Sequence, residues 1–221
     1  FKAVSWLPAD QRPDLLALPE VASADPILGL PSDFVHNGSH TAYFVLGYDT
    51  GTGVGGPWSL AEGRPVQQSG EVVMDRILAG KNGIRTGDTV RIIDEDFTVV
   101  GLSNQTAAAT NYYTFVSLSD AARLLRSGNR VSYFLVQPKP GYDPDSVVQA
   151  VRSGVPGVDA FTSASFAENS RDIIVTMIGR PLKTMIGIAA LVGIVLIALT
   201  VWALTAEQLG EPERDLDLLE H

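Results

Sequence analysis

Between Thr184 and Ala206 the chain runs 23 residues without one charged side chain, behind a long polar region that reads as a folded domain. At about 1.5 Å per residue, a helix of that length reaches roughly 34 Å, enough to cross a hydrocarbon core of about 30 Å with modest tilt. A wholly apolar helix can also sit at the centre of a large soluble protein. In a chain of 221 residues, however, the remaining polar segments are too few to wrap such a helix on every side. Gly187, Gly193, Ala189, Ala190 and Ala198 are interspersed with Ile, Leu and Val, and small residues let membrane helices pack closely. Trp202 stands near the far end, where an interfacial aromatic is expected. The run lies near the C-terminus, which excludes a secretory signal.

The formal charge of -9 argues against a nucleic-acid partner, because phosphate binding needs a basic footprint. That charge is uneven. The tail 207–221 carries six acids (Glu207, Glu211, Glu213, Asp215, Asp217, Glu220) against Arg214, so it supplies -5 of the total. Cysteine is absent, which removes disulfides, thiolate nucleophiles and Cys-based zinc sites and leaves the redox compartment open. The chain opens on Phe1 and closes on Leu219-Glu220-His221. Further segments are expected on both sides, and the acidic tail is expected to be truncated or non-native.

Short apolar runs bounded by Gly, Pro, Asn and Asp predict strands and turns up to residue 164. A helix is expected near Pro13 to Leu18, with strands at Val21 to Leu30 and Thr41 to Gly47. GTGVGGP at 51–57 is a glycine-rich boundary. A β-rich unit follows: strands at Glu71 to Asp75, Thr89 to Ile93 and Phe97 to Leu102, a short helix at Arg76 to Lys81, and an acidic hairpin turn at Asp94 to Asp96. A strand at Tyr112 to Leu118 leads to a helix capped by Ser119 or Asp120. Strand, helix and strand are then expected at Arg130 to Gln137, Pro144 to Ser153 and Val158 to Thr162. This order echoes the opening segment. The fold class is therefore α+β, a split sheet/helix domain (1–57 and 129–164) interrupted by a small β-rich subdomain (58–128). Phe166, Ile173, Ile174, Met177 and Ile178 recur at helical spacing, so a stalk helix at 165–183 runs into the span at 184–206. Pro181 is expected to kink it near the membrane surface.

Gly51, Gly53 and Gly56 satisfy GxGxxG, with Glu71 twenty residues on, but Pro57 and Trp58 follow where a phosphate-binding helix is required. No GxxxxGK[ST] loop occurs, so the chain is not expected to hydrolyse ATP. His36 and His40 have the spacing of two metal ligands on a helix, yet Asn37, Gly38 and Ser39 between them read as a turn. Asn37 and Asn104 each begin an N-x-[ST] triplet, which matters only in a eukaryotic secreted context. Asp94 with Asp96, and Asp143 with Asp145, are carboxylate pairs on spacing alone. Both sit in turn contexts without a nucleophile or oxyanion donor. Tyr112, Tyr113 and Phe115 read as strand packing rather than a ligand platform. No catalytic, metal or cofactor residue is expected.

The strings PWSLAEGRPV (57–66), GEVVMDRILAGKNGIRTGDTVRI (70–92), FTVVGL (97–102) and FVSLSDAARLL (115–125) together resemble the extracytoplasmic domain of FtsX/MacB-like ABC transporter permeases. In that family the domain lies between the first and second transmembrane helices. Gly63 and Arg64, Gly87 and Asp88, and Val99 to Gly101 match its motif positions, and Gly63, Arg64, Gly87, Asp88, Gly101 and Pro181 are the structural or coupling candidates. Gly87 and Asp88 suit a tight turn before a strand, and Gly101 suits a bulge or strand end. The resemblance implies a porter-like unit with a companion subdomain, 184–206 as the second transmembrane helix, and residues 1 to about 180 outside the cytoplasm. It implies no ATPase activity in the chain, an ABC-type ATPase subunit as partner, and a homodimer or heterodimer of permeases. A periplasmic adaptor or a cell-wall enzyme, and membrane lipid, are further implied partners. Export of a lipid, peptide or drug and regulation of a cell-wall hydrolase both remain open. The alternative from another class is a single-span, membrane-tethered binding or assembly protein without an ATPase. The family's basic cytoplasmic flank is missing here. Basic residues instead favour the N-terminal side of the span (Arg171, Arg180, Lys183), which long translocated domains override.

Overall fold

A computed structural model describes residues 6–36, 38–108 and 111–209, the side chains of 36, 39, 108, 111, 167–184 and 206–209 lying outside that description. The described chain falls into two compact units, one through Ala160 and one from Phe161 onward.

In chain order the first unit holds β1 (Leu7–Pro8), a 3-10 turn (Ala9–Gln11), α1 (Arg12–Ala17), β2 (Val21–His36), β3 (Ser39–Tyr48), β4 (Leu60–Gly63), β5 (Glu71–Asp75), α2 (Arg76–Asn82), β6 (Thr89–Ile92) and β7 (Glu95–Ser103). It continues with β8 (Ala107–Ala108), β9 (Asn111–Ser117), α3 (Leu118–Leu124), β10 (Arg130–Val131), β11 (Tyr133–Pro138) and α4 (Pro144–Gly154). One mixed sheet runs β11-β2-β3-β9-β5-β7-β4, with β6 beside β7 and β8 beside β9, while β1 pairs β10 separately.

β2 is longer than Pro31 in its middle would suggest. Its first part pairs only with β11 (Ile27 opposite Tyr133) and its second only with β3 (Leu28 opposite Gly47). At Pro26 and Pro31 the strand therefore has one ladder neighbour, and a missing N–H can face the unpaired side. At its far end His36 pairs with Ser39. His40 is exposed; Asn37 and the side chain of His36 lie outside the described residues.

Apart from a cluster of Ile27, Tyr48, Val66, Val73 and Phe115, two apolar cores flank the sheet. One gathers Leu15, Val21, Ala24, Val147, Val151 and Val155 from α1, β2 and α4 and the residue after it. The other is centred on Val72, Met74, Leu78, Ile92, Phe97, Val99 and Val116, and takes Phe34, Tyr43 and Val45 from the β2–β3 hairpin. The expected strand at 158–162 does not form. Val158 and Ala160 pack against the first core, while the Ala160 N–H is held by the Asp159 carboxylate and its carbonyl accepts from Arg152. Side chains thus take the groups a ladder would use.

α3 is capped by Ser117, whose hydroxyl accepts from the Asp120 N–H, rather than by Ser119 or Asp120. Of the acidic run, only Asp94 remains outside a strand, since Glu95 and Asp96 belong to β7.

The second unit is α5, unbroken from Ser163 to Leu209. Its backbone stays helical through Pro181, whose side chain is outside the description. Within it, Met185–Thr205 has a mean hydropathy of 2.6 and no buried residue. Side chains that are apolar on all faces and exposed on all faces belong in lipid.

Candidate functional site

Gly63, Arg64, Gly87, Asp88 and Gly101 lie far apart in sequence and converge on one short stretch of β7. Opposite β5, Val72 pairs with Val99 and Val73 with Gly101, so Val100 is an extra residue and β7 bulges there. The freed Val100 carbonyl accepts from the Arg64 N–H at 3.0 Å. On the adjacent residue, the Val99 carbonyl accepts from the Gly87 N–H at 2.7 Å and the Val99 N–H donates to the Asp88 carbonyl at 2.8 Å. Asp88 also closes its own turn, its carboxylate accepting from the Arg85 N–H.

The backbones meet so closely that side chains are excluded. Gly63 has φ 75° and faces Gly101 across the β4–β7 ladder. A Cβ there would land on the Val100 carbonyl, and one on Gly101 would sit 2.5 Å from the Arg64 carbonyl. Pro181 belongs to the other unit.

Arg64 carries the cluster outward. Its guanidinium makes a two-pronged pair with Glu71, one arm at 2.8 Å, and the Glu71 carboxylate also accepts from the N–H groups of Gln67 and Gln68. The Arg64 bonds, opposed by burial and reinforced by those amides, hold the Glu71 carboxyl down at about 2. Glu71 therefore belongs to a structural loop rather than to a ribose hydroxyl. One residue further back, Gly70 donates to the fully buried Asp120, as does the Ser69 hydroxyl. Arg123 then bridges Asp120 to Glu95 on β7. Burial pushes the Asp120 carboxyl up, but these hydrogen bonds outweigh it and leave it below its ordinary value. Both carboxylates are held ionised and fully engaged, which suits them to fixing loop 64–71 and not to moving protons.

A second polar knot stands at the end of β5. Asp75 caps α2 through the N–H groups of Ile77 and Leu78, and its other oxygen accepts from Thr106, which contacts Ser103 at 2.6 Å. Sequence reading missed this knot, because its members are joined only by the sheet. The D-x-x-L pattern at Asp75 was the one local signal for a cap.

The remaining candidates disperse. Asp96 pairs with Arg91 on the exposed β6–β7 hairpin, and Asp143 and Asp145 lie on the exposed start of α4. Phe115 is fully buried, and Tyr113 packs with Phe44 and Trp58. Trp58, Tyr113, Tyr133 and Leu46 border an open hollow of about 400 Å³ with a mainly apolar wall.

A mixed α+β domain followed by a long helix whose apolar stretch is exposed on every side fits a membrane protein that carries one large polar domain. The chain belongs to the family of the MacB-like periplasmic core domain, whose model matches residues 3–153, and so to the MacB/FtsX-like permeases. Among solved structures it is similar to the periplasmic region of MacB from Actinobacillus actinomycetemcomitans, at 17% identity and a TM-score of 0.51, covering 66% of this chain and 73% of that one. It is also similar to the extracellular domain of the noncanonic ABC-type transporter YknZ from Gram-positive bacteria, at 14% identity and a TM-score of 0.53, covering 67% and 82%. At such identities the likeness is one of fold. A search of curated proteins returns no match.

Proposed function

We propose that this chain is the outer domain and second transmembrane helix of an ABC transporter permease, and that it carries ATP-driven movement across the membrane for export or mechanotransmission. The chain contributes no catalysis. Hydrolysis belongs to a separate or fused nucleotide-binding domain, and two permeases pair as a homodimer or heterodimer. A periplasmic adaptor or a cell-wall enzyme would receive the movement outside, and lipid surrounds Met185–Thr205.

The observation that supports this reading is the single 47-residue α5 in a chain of this family. At about 1.5 Å per residue it extends roughly 70 Å, more than twice a hydrocarbon core, so part of it serves as a stalk. A continuous helix curves gently rather than breaking over such lengths, and can work as a lever. The split domain is read as two cores on one sheet, tied together by the cluster of Ile27, Tyr48, Val66, Val73 and Phe115. The core of α1, β2 and α4 draws only on 1–57 and 129–164, whereas the larger core is built mainly from 58–128. Gly63, Arg64, Gly87, Asp88 and Gly101 are taken as the knot that keeps this second lobe rigid, and Pro181 as a coupling position on the stalk.

Purification of the full-length protein from native membranes tests the reading. Recovery of a stoichiometric ATPase whose turnover depends on the permease is expected. A single-span protein recovered alone, with no stimulated ATP turnover, overturns it in favour of a tethered binding or assembly protein.

A further inference from the structure

The glycine-rich loop at 51–57 lies flat on the sheet. A Cβ at Gly55 would collide with the Ile27 side chain, and one at Gly56 would stand 2.6 Å from the Tyr48 ring. Only glycine lets the backbone come this close. The loop thereby sets Trp58 down beside β9. There the indole N–H donates to the Gln105 backbone carbonyl at 3.1 Å, and the ring stands edge-to-face with Tyr113 and Phe115, at centroid distances of 6.1 and 5.8 Å. Trp58 is nonetheless 60% exposed. A tryptophan pinned on several sides and left mostly in water is a platform rather than a piece of core.

Trp58 lines the hollow together with Tyr113 of β9, Tyr133 of β11 and Leu46 of β3. Gly29 lies opposite Leu46 across the β2–β3 ladder and lays no side chain over it. Tyr133 is 42% exposed; burial and then the nearby Tyr113 phenol push its hydroxyl up, which keeps the ring uncharged. No charged side chain lines the hollow. One stands just behind its wall. Thr106, itself a lining residue, donates its hydroxyl proton to the buried Asp75 at 2.6 Å. Asp75 holds the first N–H groups of α2, but among the described residues no Lys, Arg or His is within ion-pair reach of it. Three aromatic rings backed by an unbalanced carboxylate complement a positive charge.

The hollow has little with which to replace a hydration shell. The Gln105 carbonyl is engaged by Trp58 and the Thr106 hydroxyl by Asp75 and Ser103, and no group of three acidic or His side chains among the described residues could hold a metal. A metal ion or a primary ammonium would surrender its water without exchange. A quaternary ammonium has no N–H to satisfy, and it is the cation that aromatic cages recognise. A phosphocholine headgroup fits less well, because no basic side chain lines the hollow to meet its phosphate. We propose that this hollow binds a small soluble quaternary ammonium compound of the choline type, with Trp58, Tyr113 and Tyr133 around the charged head and Asp75 supplying the countercharge through Thr106. The site lies within the first unit and stands whether or not an ATPase moves the domain.

The test titrates choline chloride against the full-length permease in phosphatidylglycerol nanodiscs, which carry no quaternary ammonium, and follows binding by saturation-transfer NMR. Saturable binding is expected, about tenfold tighter than that of dimethylbutanol, the neutral isostere with carbon in place of nitrogen. Trp58→Leu and Tyr133→Leu should each weaken choline about tenfold, whereas Tyr133→Phe keeps the ring and should keep the affinity. Asp75→Asn should weaken choline and leave dimethylbutanol unchanged, with the fold of each variant checked by circular dichroism. Absence of saturable binding, or equal binding of the neutral isostere, overturns the proposal and leaves a plain apolar hollow. Choline affinity untouched by both leucine variants puts any site elsewhere. Glycerophosphocholine binding more tightly than choline would assign the hollow to a lipid headgroup and overturn the soluble ligand.

Discussion

Gly101 has no backbone reason to be glycine, since its φ is not positive; the constraint on it is the Arg64 carbonyl that would sit 2.5 Å from any Cβ. Gly101→Ala must therefore displace β4 from the bulge, at about 1–3 kcal/mol. In a chain of this size that lowers the thermal midpoint by roughly 2–12 °C, measurable by differential scanning fluorimetry of the detergent-solubilised protein. The pair beside it sets a pH dependence. Glu71 falls from an ordinary 4.5 to about 2 on folding, so its contribution is complete above 4.5 and is lost as pH drops through 2. Arg64→Met should flatten the midpoint-against-pH curve between those values, and an unchanged curve would remove the pair from the stability of the fold. Glycines and Arg64 were legible as a family motif, whereas their partners were not. Glu71 had suggested only a discarded nucleotide fingerprint, and Asp120 had suggested a helix cap; nothing local says that a carboxylate will instead bind a loop 50 residues away.

Elements whose signals are local were read well. EVVMD is β5 as expected, and α1, α2 and α4 lie within a residue or two of their predicted spans, because Pro near the first turn and an Asp cap mark them in sequence. Elements that depend on distant partners were read less well: β2 outruns its expected end because its ladder changes sides, and 158–162 is seated by α4 instead of paired. Two element-level outcomes follow. Asp75→Ala removes the α2 cap and also leaves the buried Thr106 hydroxyl without its acceptor, costing about 1–2 kcal/mol for the cap and a similar amount for the orphaned group, read by urea unfolding. In α5, Val195→Arg places a charge at the middle of Met185–Thr205, where insertion is disfavoured by roughly 2.5–3.5 kcal/mol. Expressed as these 221 residues, with this one span, the variant should shift to the carbonate-extractable fraction, while Thr205→Arg at the end of the span should not.

For the whole molecule the uncharged run pointed to a membrane span from sequence, and the family match agrees with it. The halves expected around residues 57 and 128 share one sheet, because β3 of the first half lies parallel to β9 of the insertion, and a pairing across about 70 residues leaves no local trace. What the domain does as a body depends on whether events on one face of the membrane reach the other. With no cysteine in these 221 residues, that is directly measurable: Gln149→Cys, on the exposed face of α4, gives the domain one labelling site once any cysteines of the remaining segments and the ATPase are replaced. In sealed proteoliposomes holding the permease and its ATPase with the domain outward, emission should change when ATP is present in the lumen and relax when hydrolysis exhausts it. External ATP should have no effect. A probe indifferent to luminal ATP, in vesicles that are hydrolysing it, would contradict the claim that this domain is moved by the ATPase.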